Sequence, residues 1–235
     1  MKALLLAAGF GTRLRPITDS VPKCLVPIHG RPLLDYWFEL VFATNAIDRA
    51  LVNTHYLPDQ VVAHVQASPW RDRIDLVHED VLLGTGGTIL QNRRYFDGQD
   101  FLLVHADNLS SLDVRWLQHQ HHARTVGCAM TMLAFRTDVP QSCGILECDA
   151  HGVVQAFHEK VANPPDNLAN GAVYIMGPEI LAATAALGKP EVDLSTEVIP
   201  QFVGRIQSAE TTAYHRDIGT PTSLAAAHQE FPRPT

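Results

Sequence analysis

The sequence predicts an α/β fold with a largely parallel, doubly wound sheet, and three observations support this. Short apolar segments with the length of buried strands alternate with segments of helical periodicity. The connections between them are short, as in strand–helix–strand units. A glycine-rich stretch follows the first apolar segment, and ligands of such sheets bind beyond the carboxyl ends of the strands. We therefore expect a ligand site where the first strand ends.

The first part of the chain supplies three strands and two helices. Pro32 suits the first turn of a helix, and the apolar spacing that follows it is helical. The predicted strands are residues 3–8, 50–54 and 74–77, and the predicted helices are residues 33–41 and about 58–65.

The second part of the chain is predicted to contain more strands and a hairpin. The hairpin joins residues 142–147 to 152–160 and turns at 149–152, where Asp and Gly favour a turn. Capping residues predict helix starts near residues 193 and 220, the second helix running to about residue 229. The remaining predicted strands are residues 100–108, 127–134 and 170–175.

Composition bounds the class of protein. The chain has 235 residues, 46% of them apolar, which is sufficient for one domain with a substantial core. No apolar run approaches the ~20 residues that span a bilayer, so we expect no membrane insertion. The four cysteines form no C-x-x-C pair, and we expect reduced thiols in a cytoplasmic protein rather than a zinc site.

The charge distribution points to a small anionic ligand. The whole chain carries 18 basic and 25 acidic residues, a net charge of −7. Residues 1–31 have the opposite charge balance, since their basic residues outnumber the single acidic residue, Asp19. Gly9 and Gly11 lie within this basic stretch, where the backbone can point several N–H groups at one anion. A basic loop in an acidic chain predicts a polyphosphate site and not a nucleic-acid surface.

Other interpretations of this loop fit less well. A signal peptide would need a longer apolar run, and here arginines follow after about six residues. A dinucleotide fingerprint needs a third glycine where this chain has Leu14, and the Gly-Lys-Ser/Thr of a Walker A loop is absent. A turn without a ligand would leave the clustered arginines unexplained.

Two further groups of polar residues attract attention. Asp107 ends the apolar strand 100–108, which suits a metal ligand beside phosphates, although it would also serve as a helix N-cap. His119, His121 and His122 lie in a predicted helix, where at most two could share an ion. We expect these histidines to form a solvated face.

The motifs together resemble those of the sugar-1-phosphate nucleotidyltransferases, which make nucleotide sugars. The run from Leu6 to Thr18 reads LAAGFGTRLRPIT, Pro22-Lys23 follows it, and residues 217–221 read DIGTP. The resemblance covers roughly residues 1–222 and looks most like mannose- and heptose-1-phosphate guanylyltransferases. It implies a single Rossmann-like domain over 1–235, with a nucleotide half (1–110), a sugar-phosphate half (111–222) that contains a sugar-binding hairpin, a tail (230–235) and no C-terminal β-helix.

The resemblance also implies the nucleotide-binding residues. Glu79 would read the base, and its carboxylate could accept both N1–H and N2–H₂ of guanine, which mildly favours GTP. A surface acid at a strand end is the alternative for Glu79. The implied set is Leu6, Ala8, Gly9, Gly11, Thr12, Arg13, Lys23, Glu79, Gly84 and Thr85, the last two in a second glycine-rich turn.

The sugar phosphate would bind residues of the second half. The resemblance places Asn108, Gly144, Glu159, Lys160 and Asn170 around the sugar. Glu159 would accept bonds from sugar hydroxyls, and Lys160 would meet the sugar's phosphate. Relatives have proline after the lysine, whereas residues 161–165 here read VANPP, so the sugar is left open.

Metal binding and catalysis follow from the same resemblance. Asp107 and Asp217 would bind Mg²⁺, each ending a predicted strand at the same sheet edge. The catalytic residues would be Arg13, Lys23, Asp107 and Lys160. The acceptor phosphate is already an anion, so the reaction needs alignment and charge neutralisation rather than a general base.

The predicted function is nucleotidyl transfer from a nucleoside triphosphate, GTP favoured, to a mannose- or heptose-type sugar 1-phosphate. The products are pyrophosphate and a nucleoside diphosphate sugar, the enzyme is expected in the cytoplasm, and a homodimer is a family expectation. One alternative is a uridylyltransferase acting on a hexose or amino-sugar 1-phosphate. Another is a non-catalytic regulatory homologue, although such a homologue would be expected to lack the lysines or aspartates. A nicotinamide-dependent oxidoreductase fails on the missing third glycine.

Overall fold

The structure is a computed structural model that describes residues 1–233 of the chain. Residues 234 and 235, the end of the predicted tail, lie outside the described residues. The strands are β1 (Lys2–Leu6), β2 (Pro27–Ile28), β3 (Arg31–Pro32), β4 (Arg49–Thr54), β5 (Ile74–His78), β6 (Phe101–His105), β7 (Asn108–Ser110), β8 (Met130–Arg136), β9 (Gly144–Cys148), β10 (Val154–Glu159), β11 (Leu168–Met176), β12 (Ile206–Glu210) and β13 (His215–Asp217). The α-helices are α1 (Leu33–Phe42), α2 (Pro58–Ala67), α3 (Gly84–Gln91), α4 (Val114–His122), α5 (Pro178–Ala186) and α6 (Pro221–Glu230).

The described chain forms two compact units, each made of separate segments. Unit 1 contains residues 1–82, 104–114 and those from 213 onward, and unit 2 contains residues 83–103 and 115–212. Within residues 1–233, no helix has both the length and the apolar character needed to cross a membrane.

Unit 1 contains the parallel strands that the sequence predicts. β1 pairs with β4 and β4 with β5, both in parallel, and the end of β6 neighbours β1. β1 and β4 are almost entirely buried, and α1 contributes the fully buried Trp37 and Phe38 to the core. The indole N–H of Trp37 donates to the carbonyl of Asn108, 2.7 Å away, so burial leaves that donor satisfied. The predicted α/β fold class is confirmed.

Two short strands of unit 1 form a separate antiparallel sheet. β13 pairs with β7, and Asp217 stands opposite Asn108 in the register. The backbone N–H of Ile218 also donates to the carbonyl of Asp107 over 3.1 Å. The prediction that Asp217 ends a strand is correct, but that strand belongs to this two-stranded sheet and not to the edge of the main sheet.

Unit 2 contains the predicted hairpin. β9 and β10 pair antiparallel, and Asp149 closes the turn by accepting from the backbone N–H groups of His151 and Val153. β11 lies between β9 and β8, and β12 adds to β8 in parallel. The hairpin bounds differ from the predicted ones by a few residues, as terminal residues commonly do.

Several stretches of unit 2 differ from the predictions, among them strand β12, which the sequence did not predict. Gly84, expected in a glycine-rich turn, instead begins α3. Gly86 and Gly87 lie against residues 190–192, where a Cβ on either glycine would come within 2.7 Å of a neighbour. The glycines therefore allow close backbone packing, and tertiary contact overrides their low helix propensity. Helix α5, residues Pro178–Ala186, is not among the predicted elements.

The predicted solvated histidine face of α4 is wrong for one of its three members. His119 and His122 are exposed, whereas the His121 side chain is only 1% exposed. Its ring nitrogens lie 2.9 Å from the Thr131 hydroxyl and 3.0 Å from the Asp100 carboxylate. Burial lowers the pKa of His121 below its ordinary value, although the hydrogen bond to Asp100 acts in the opposite direction.

This buried histidine predicts a pH-dependent stability. As the pH falls below the ordinary histidine pKa of 6.5, the unfolded chain binds a proton before the folded one does, so stability is lost. We expect urea unfolding of the wild type to weaken between about pH 7 and pH 5 more than that of His121→Asn, by at most about 1.4 kcal/mol per pH unit. His119→Asn, on the exposed face of α4, should retain the wild-type slope. Equal slopes for all three proteins would contradict the assignment.

Candidate active site

The glycine loop follows β1 in unit 1 and presents polar groups at its surface. Gly9 and Thr12 are exposed, and no atom lies within 4 Å of a Cβ built on Gly9. Gly11 has φ +64°, and its carbonyl accepts from the Thr18 hydroxyl over 2.8 Å. The loop is therefore held from below while its outer backbone remains accessible, as an anion cradle requires.

A buried ammonium lies beside this loop. The Lys23 side chain is only 9% exposed, and its Nζ lies 2.5 Å from Asp107 Oδ2 and 3.6 Å from Asp217 Oδ1. The Arg13 guanidinium approaches the other oxygen of Asp217, with 3.8 Å between Nη2 and Oδ2. We call Arg13, Lys23, Asp107 and Asp217 the charge cluster. Its members come from three separate stretches of the sequence.

A shared apolar cluster holds those stretches in place. Each residue of the charge cluster precedes, by one to three positions, a buried apolar side chain of one hydrophobic cluster in unit 1. These pairs are Arg13 with Leu14, Lys23 with Val26, Asp107 with Leu109, and Asp217 with Ile218. Burial of such side chains contributes roughly 1.5–3 kcal/mol each, so the apolar cluster fixes the backbone that carries the charges.

The two aspartates ionise differently. Burial is the largest single influence on Asp107 and opposes its ionisation, but the positive charges of Lys23 and His105 and the hydrogen bonds to the carboxylate together hold the pKa of Asp107 below its ordinary value. Burial raises the pKa of Asp217, and the negative charge of Asp107 adds to this increase against the opposing effect of Lys23. When two acids share one nearby cation, the pKa of the closer acid falls and the pKa of the other rises.

The donor set of the charge cluster fits a magnesium ion. Asp107 and Asp217 present carboxylate oxygens to one cation, the Lys23 ammonium. Among residues 1–233, no three His, Cys, Asp or Glu side chains converge as a metal cage. Mg²⁺ is usually held by one or two carboxylates together with substrate phosphates and water, so two aspartates are sufficient.

Glu79, the predicted base reader, is buried at the end of β5. Its residue exposure is 2%, and Asn53 Nδ2 donates to its Oε1 over 3.0 Å. It is therefore not a surface acid, which removes that alternative. Asn53 was not predicted, although an amide at the carboxyl end of a buried strand is a signal that would have found it.

The remaining predicted residues of unit 1 line the strand ends. Leu6 is the last residue of β1, and its carbonyl accepts from Ala106 N–H over 3.1 Å. Ala8 is buried just before the glycine loop. Asn108, predicted to bind sugar, is 5% exposed and belongs to β7.

In unit 2, the predicted residues of the second glycine stretch contact the segment near residue 192. The Thr85 hydroxyl accepts from Leu194 N–H over 2.8 Å. A Cβ on Gly84, which has φ +70°, would lie 2.5 Å from the carbonyl oxygen of Val192. Both residues thus have a structural role, and their contact with a nucleotide stays a prediction.

The predicted sugar residues of unit 2 lie around the β9–β10 hairpin. Lys160 Nζ pairs with Glu159 Oε1 at 3.0 Å, and the Lys160 side chain is 60% exposed. A Cβ on Gly144 would come within 2.7 Å of Glu159 Oε2, so the glycine makes room for that carboxylate. Asn170 Nδ2 donates to the Tyr174 hydroxyl over 2.7 Å. Gly144, Glu159 and Lys160 are therefore brought together.

Comparison with known proteins identifies relatives along the whole described chain. The family model described as Nucleotidyl transferase matches residues 2–233. The chain is 28% identical to the mannose-1-phosphate guanylyltransferase of Mycobacterium tuberculosis, over 98% of this chain and 64% of that protein. It is 29% identical to the glucose-1-phosphate thymidylyltransferase of Streptomyces griseus, over 95% of this chain and 64% of that protein. The chain thus spans less than two thirds of the length of these curated relatives.

Solved structures share the fold. The crystal structure of HddC from Yersinia pseudotuberculosis superposes with a TM-score of 0.80 at 24% identity, covering 98% of this chain and 99% of that chain. At this identity the likeness speaks for the fold alone, and it agrees with the α/β architecture described above.

The glycine loop can be tested by a matched pair of substitutions. Gly11 (φ +64°) and Gly188 (φ +67°) have the same left-handed backbone, but only at Gly11 would a Cβ meet neighbours, at 2.9 Å from Thr18 Cγ2 and 3.1 Å from Lys23 Cβ. We expect Gly188→Ala to reduce the free energy of unfolding by about 1–2 kcal/mol, the cost of the backbone conformation. Gly11→Ala should cost measurably more in urea denaturation. Equal losses would contradict the close packing between this loop and Lys23.

Proposed function

Because the chain belongs to the nucleotidyl transferase family, we propose that it transfers a nucleotidyl group from a nucleoside triphosphate to a sugar 1-phosphate. The favoured pair is GTP with a mannose- or heptose-type sugar 1-phosphate. The products are then pyrophosphate and a nucleoside diphosphate sugar. The family supports the class of reaction, and the substrates are the part that we propose.

The observation that carries this proposal is the charge cluster beside the glycine loop. An accessible loop of backbone N–H groups, a buried ammonium and a guanidinium supply the positive groups that a triphosphate needs. Two carboxylates in the same cluster supply the oxygens that a phosphate-bound Mg²⁺ needs. A binding site for a neutral ligand would require neither set of charges.

The proposed reaction is a displacement at the α-phosphorus. A phosphate oxygen of the sugar 1-phosphate forms the new P–O bond, and the bond from the α-phosphorus to the bridging oxygen of pyrophosphate breaks. Because the attacking oxygen is already an anion, no proton has to be removed. Arg13 stabilises the charge that develops on the leaving pyrophosphate, and Lys23 holds the α-phosphate. Gly9, Gly11 and Thr12 orient the triphosphate.

The carboxylates of Asp107 and Asp217 would hold the magnesium ion. When bound, the ion neutralises phosphate charge and polarises phosphoryl oxygens. Lys23 lies between these carboxylates, and in the proposed complex its ammonium would also contact the α-phosphate. The ammonium of Lys23 is carried on a flexible four-carbon chain, which permits such a contact.

The base preference rests on Glu79. A carboxylate can accept two parallel hydrogen bonds from guanine, whereas uracil and thymine each offer one N–H. Asn53 donates a hydrogen bond to one oxygen of this carboxylate. The relatives described above carry guanylyl and thymidylyl names, so a pyrimidine triphosphate is the second candidate.

The sugar phosphate is assigned to the β9–β10 hairpin region. Glu159 would accept hydroxyl donors of the sugar, and Asn170 would offer a further polar contact. Lys160, whose side chain is largely exposed, would bind the attacking phosphate. The pairing of Lys160 with Glu159 supports this, because it fixes an ammonium and a carboxylate side by side for a ligand that carries both an anion and hydroxyls.

The proposal predicts pyrophosphate release from a defined substrate pair. With Mg²⁺ present, we expect release from GTP with a manno-configured sugar 1-phosphate, and slower release from UTP, dTTP, CTP and ATP. Omission of the sugar phosphate or chelation of the metal should abolish it. The assay measures pyrophosphate for each triphosphate against a panel of sugar 1-phosphates.

The same panel separates the alternatives. Release with UTP or dTTP alone would keep the reaction and overturn the guanine preference. No release from any pair, with a nucleotide sugar still bound, would overturn the proposed reaction in favour of a regulatory homologue.

A second prediction concerns the charge cluster. Asp107→Asn keeps the side-chain shape and removes the charge, so we expect kcat to fall roughly a hundredfold or more, while the KM for the triphosphate changes by less than about fivefold. Arg13→Met should behave in the same way. Asp166→Asn, at an exposed acid paired with Arg136 in unit 2, is the control and should retain full activity. Parallel losses in kcat and triphosphate affinity would argue against these roles.

A further inference from the structure

Asn53 makes two buried hydrogen bonds that join two functional segments of unit 1. Its Oδ1 accepts from Ala7 N–H over 2.7 Å, and its Nδ2 donates to Glu79 Oε1 over 3.0 Å. The residue is 3% exposed, so water does not readily replace either partner. We propose that Asn53 is a positioning residue that sets the base preference through Glu79, an inference that rests on the proposed function of Glu79.

The orientation of the Asn53 amide is fixed by its partners. A backbone N–H can only donate, so the amide oxygen must face Ala7. The amide NH₂ then faces the Glu79 carboxylate, which accepts. The amide offers both an acceptor and a donor at this spacing. Aspartate would present two acceptors, and serine is too short to reach both partners.

Glu79 is held by the last two residues of β4 and by His55, which follows that strand. Asn53 binds its carboxylate, the Thr54 carbonyl accepts from its N–H over 2.9 Å, and His55 Nδ1 lies 2.7 Å from its carbonyl oxygen. Both the backbone and the side chain of Glu79 are thus fixed from one strand. A carboxylate that accepts hydrogen bonds from two N–H groups of one base edge must lie in the plane of that base. A rotated carboxylate would weaken both hydrogen bonds, so its orientation has to be held.

Asn53 also connects the base reader to the phosphate loop. Ala7 lies two residues before Gly9, and Leu6 stands opposite Asn53 in the β1–β4 register. One amide therefore fixes the entry to the loop that would hold the phosphates and the carboxylate that would hold the base. The distance between the base and the phosphates is fixed by the nucleotide itself. One residue that holds both the loop and the Glu79 carboxylate would keep the two binding groups at that distance.

The test measures binding as well as turnover. Dissociation constants for GTP and UTP are determined by titration calorimetry, and kcat/KM is determined for both triphosphates with the same sugar 1-phosphate. In Asn53→Asp a second carboxylate faces Glu79, so one acid must take up a proton or turn away. We expect the GTP-over-UTP ratio to fall roughly tenfold or more in both measurements. Asn53→Ser, which adds no charge, should lower it in the same direction.

A double-mutant cycle separates a positioning role from a merely structural one. Glu79→Gln alone should lower the GTP-over-UTP ratio. In that background Asn53→Asp should change the ratio by less than about twofold, because its effect acts through the missing carboxylate. Val52→Ala is the stability control, since Val52 is buried on the same strand and points to the opposite face. It should lower the melting temperature and leave the ratio unchanged.

The outcomes distinguish this inference from the proposed function. If Glu79→Gln lowers the ratio but neither Asn53 variant does, the role of Asn53 is overturned and that of Glu79 stands. If Glu79→Gln leaves the ratio unchanged, the base-reading role fails and this inference fails with it. If the wild type shows no turnover, the proposed reaction fails, while the binding constants still decide whether Asn53 acts on base preference.

Discussion

The candidate site depends on one buried ammonium held between two carboxylates. Burial of Lys23 is costly unless its charge is paired, and Asp107 and Asp217 supply that pairing at 2.5 and 3.6 Å. The dependence is mutual, because the two carboxylates would repel each other without the lysine. Arg13 and Lys23 balance the charges of the two aspartates, and a ligand that brings both anions and a cation can replace each partner. A metal-bound triphosphate has that composition.

The fold has to bring these charges together from distant parts of the chain, and apolar packing does so. The four side chains Leu14, Val26, Leu109 and Ile218 share one hydrophobic cluster, and each lies close in sequence to one charged residue. The β7–β13 pairing aligns the two aspartates along the chain, since it places Asp217 opposite Asn108, the residue that follows Asp107. The hydrophobic effect has no direction, so the backbone pairing supplies the alignment that packing alone cannot. The spacing of the charges in the site is therefore set by apolar packing together with this backbone pairing.

Sequence patterns predicted what depends on local structure. Strands β1, β4 and β5, the glycine loop and the carboxylate of Asp107 follow from short apolar runs and from the residue that ends each run. They did not predict that Asp217 lies in a separate two-stranded sheet, because that pairing joins segments about a hundred residues apart. Nor did they predict that His121 is buried, since its partners Asp100 and Thr131 lie on other elements. The position of Asn53 at the carboxyl end of a buried strand marks it as a candidate in the sequence, but its two partners, Ala7 and Glu79, are visible only in the structure.

The two glycine-rich stretches show how one sequence signal can have two physical causes. At Gly9 a Cβ would meet nothing within 4 Å, so packing does not require glycine there and the predicted ligand contact is the remaining reason for it. At Gly86 and Gly87 a side chain would collide with Val192 and the Pro190 carbonyl, so the absence of a Cβ serves packing within unit 2. Composition cannot separate these cases, because glycine permits close approach from either side of the backbone. The charge of neighbouring residues distinguishes the two cases. Arg13 and Lys23 lie near Gly9 and Gly11, whereas no Lys or Arg occurs within residues 79–92. A glycine-rich run predicts a phosphate site only when cations accompany it.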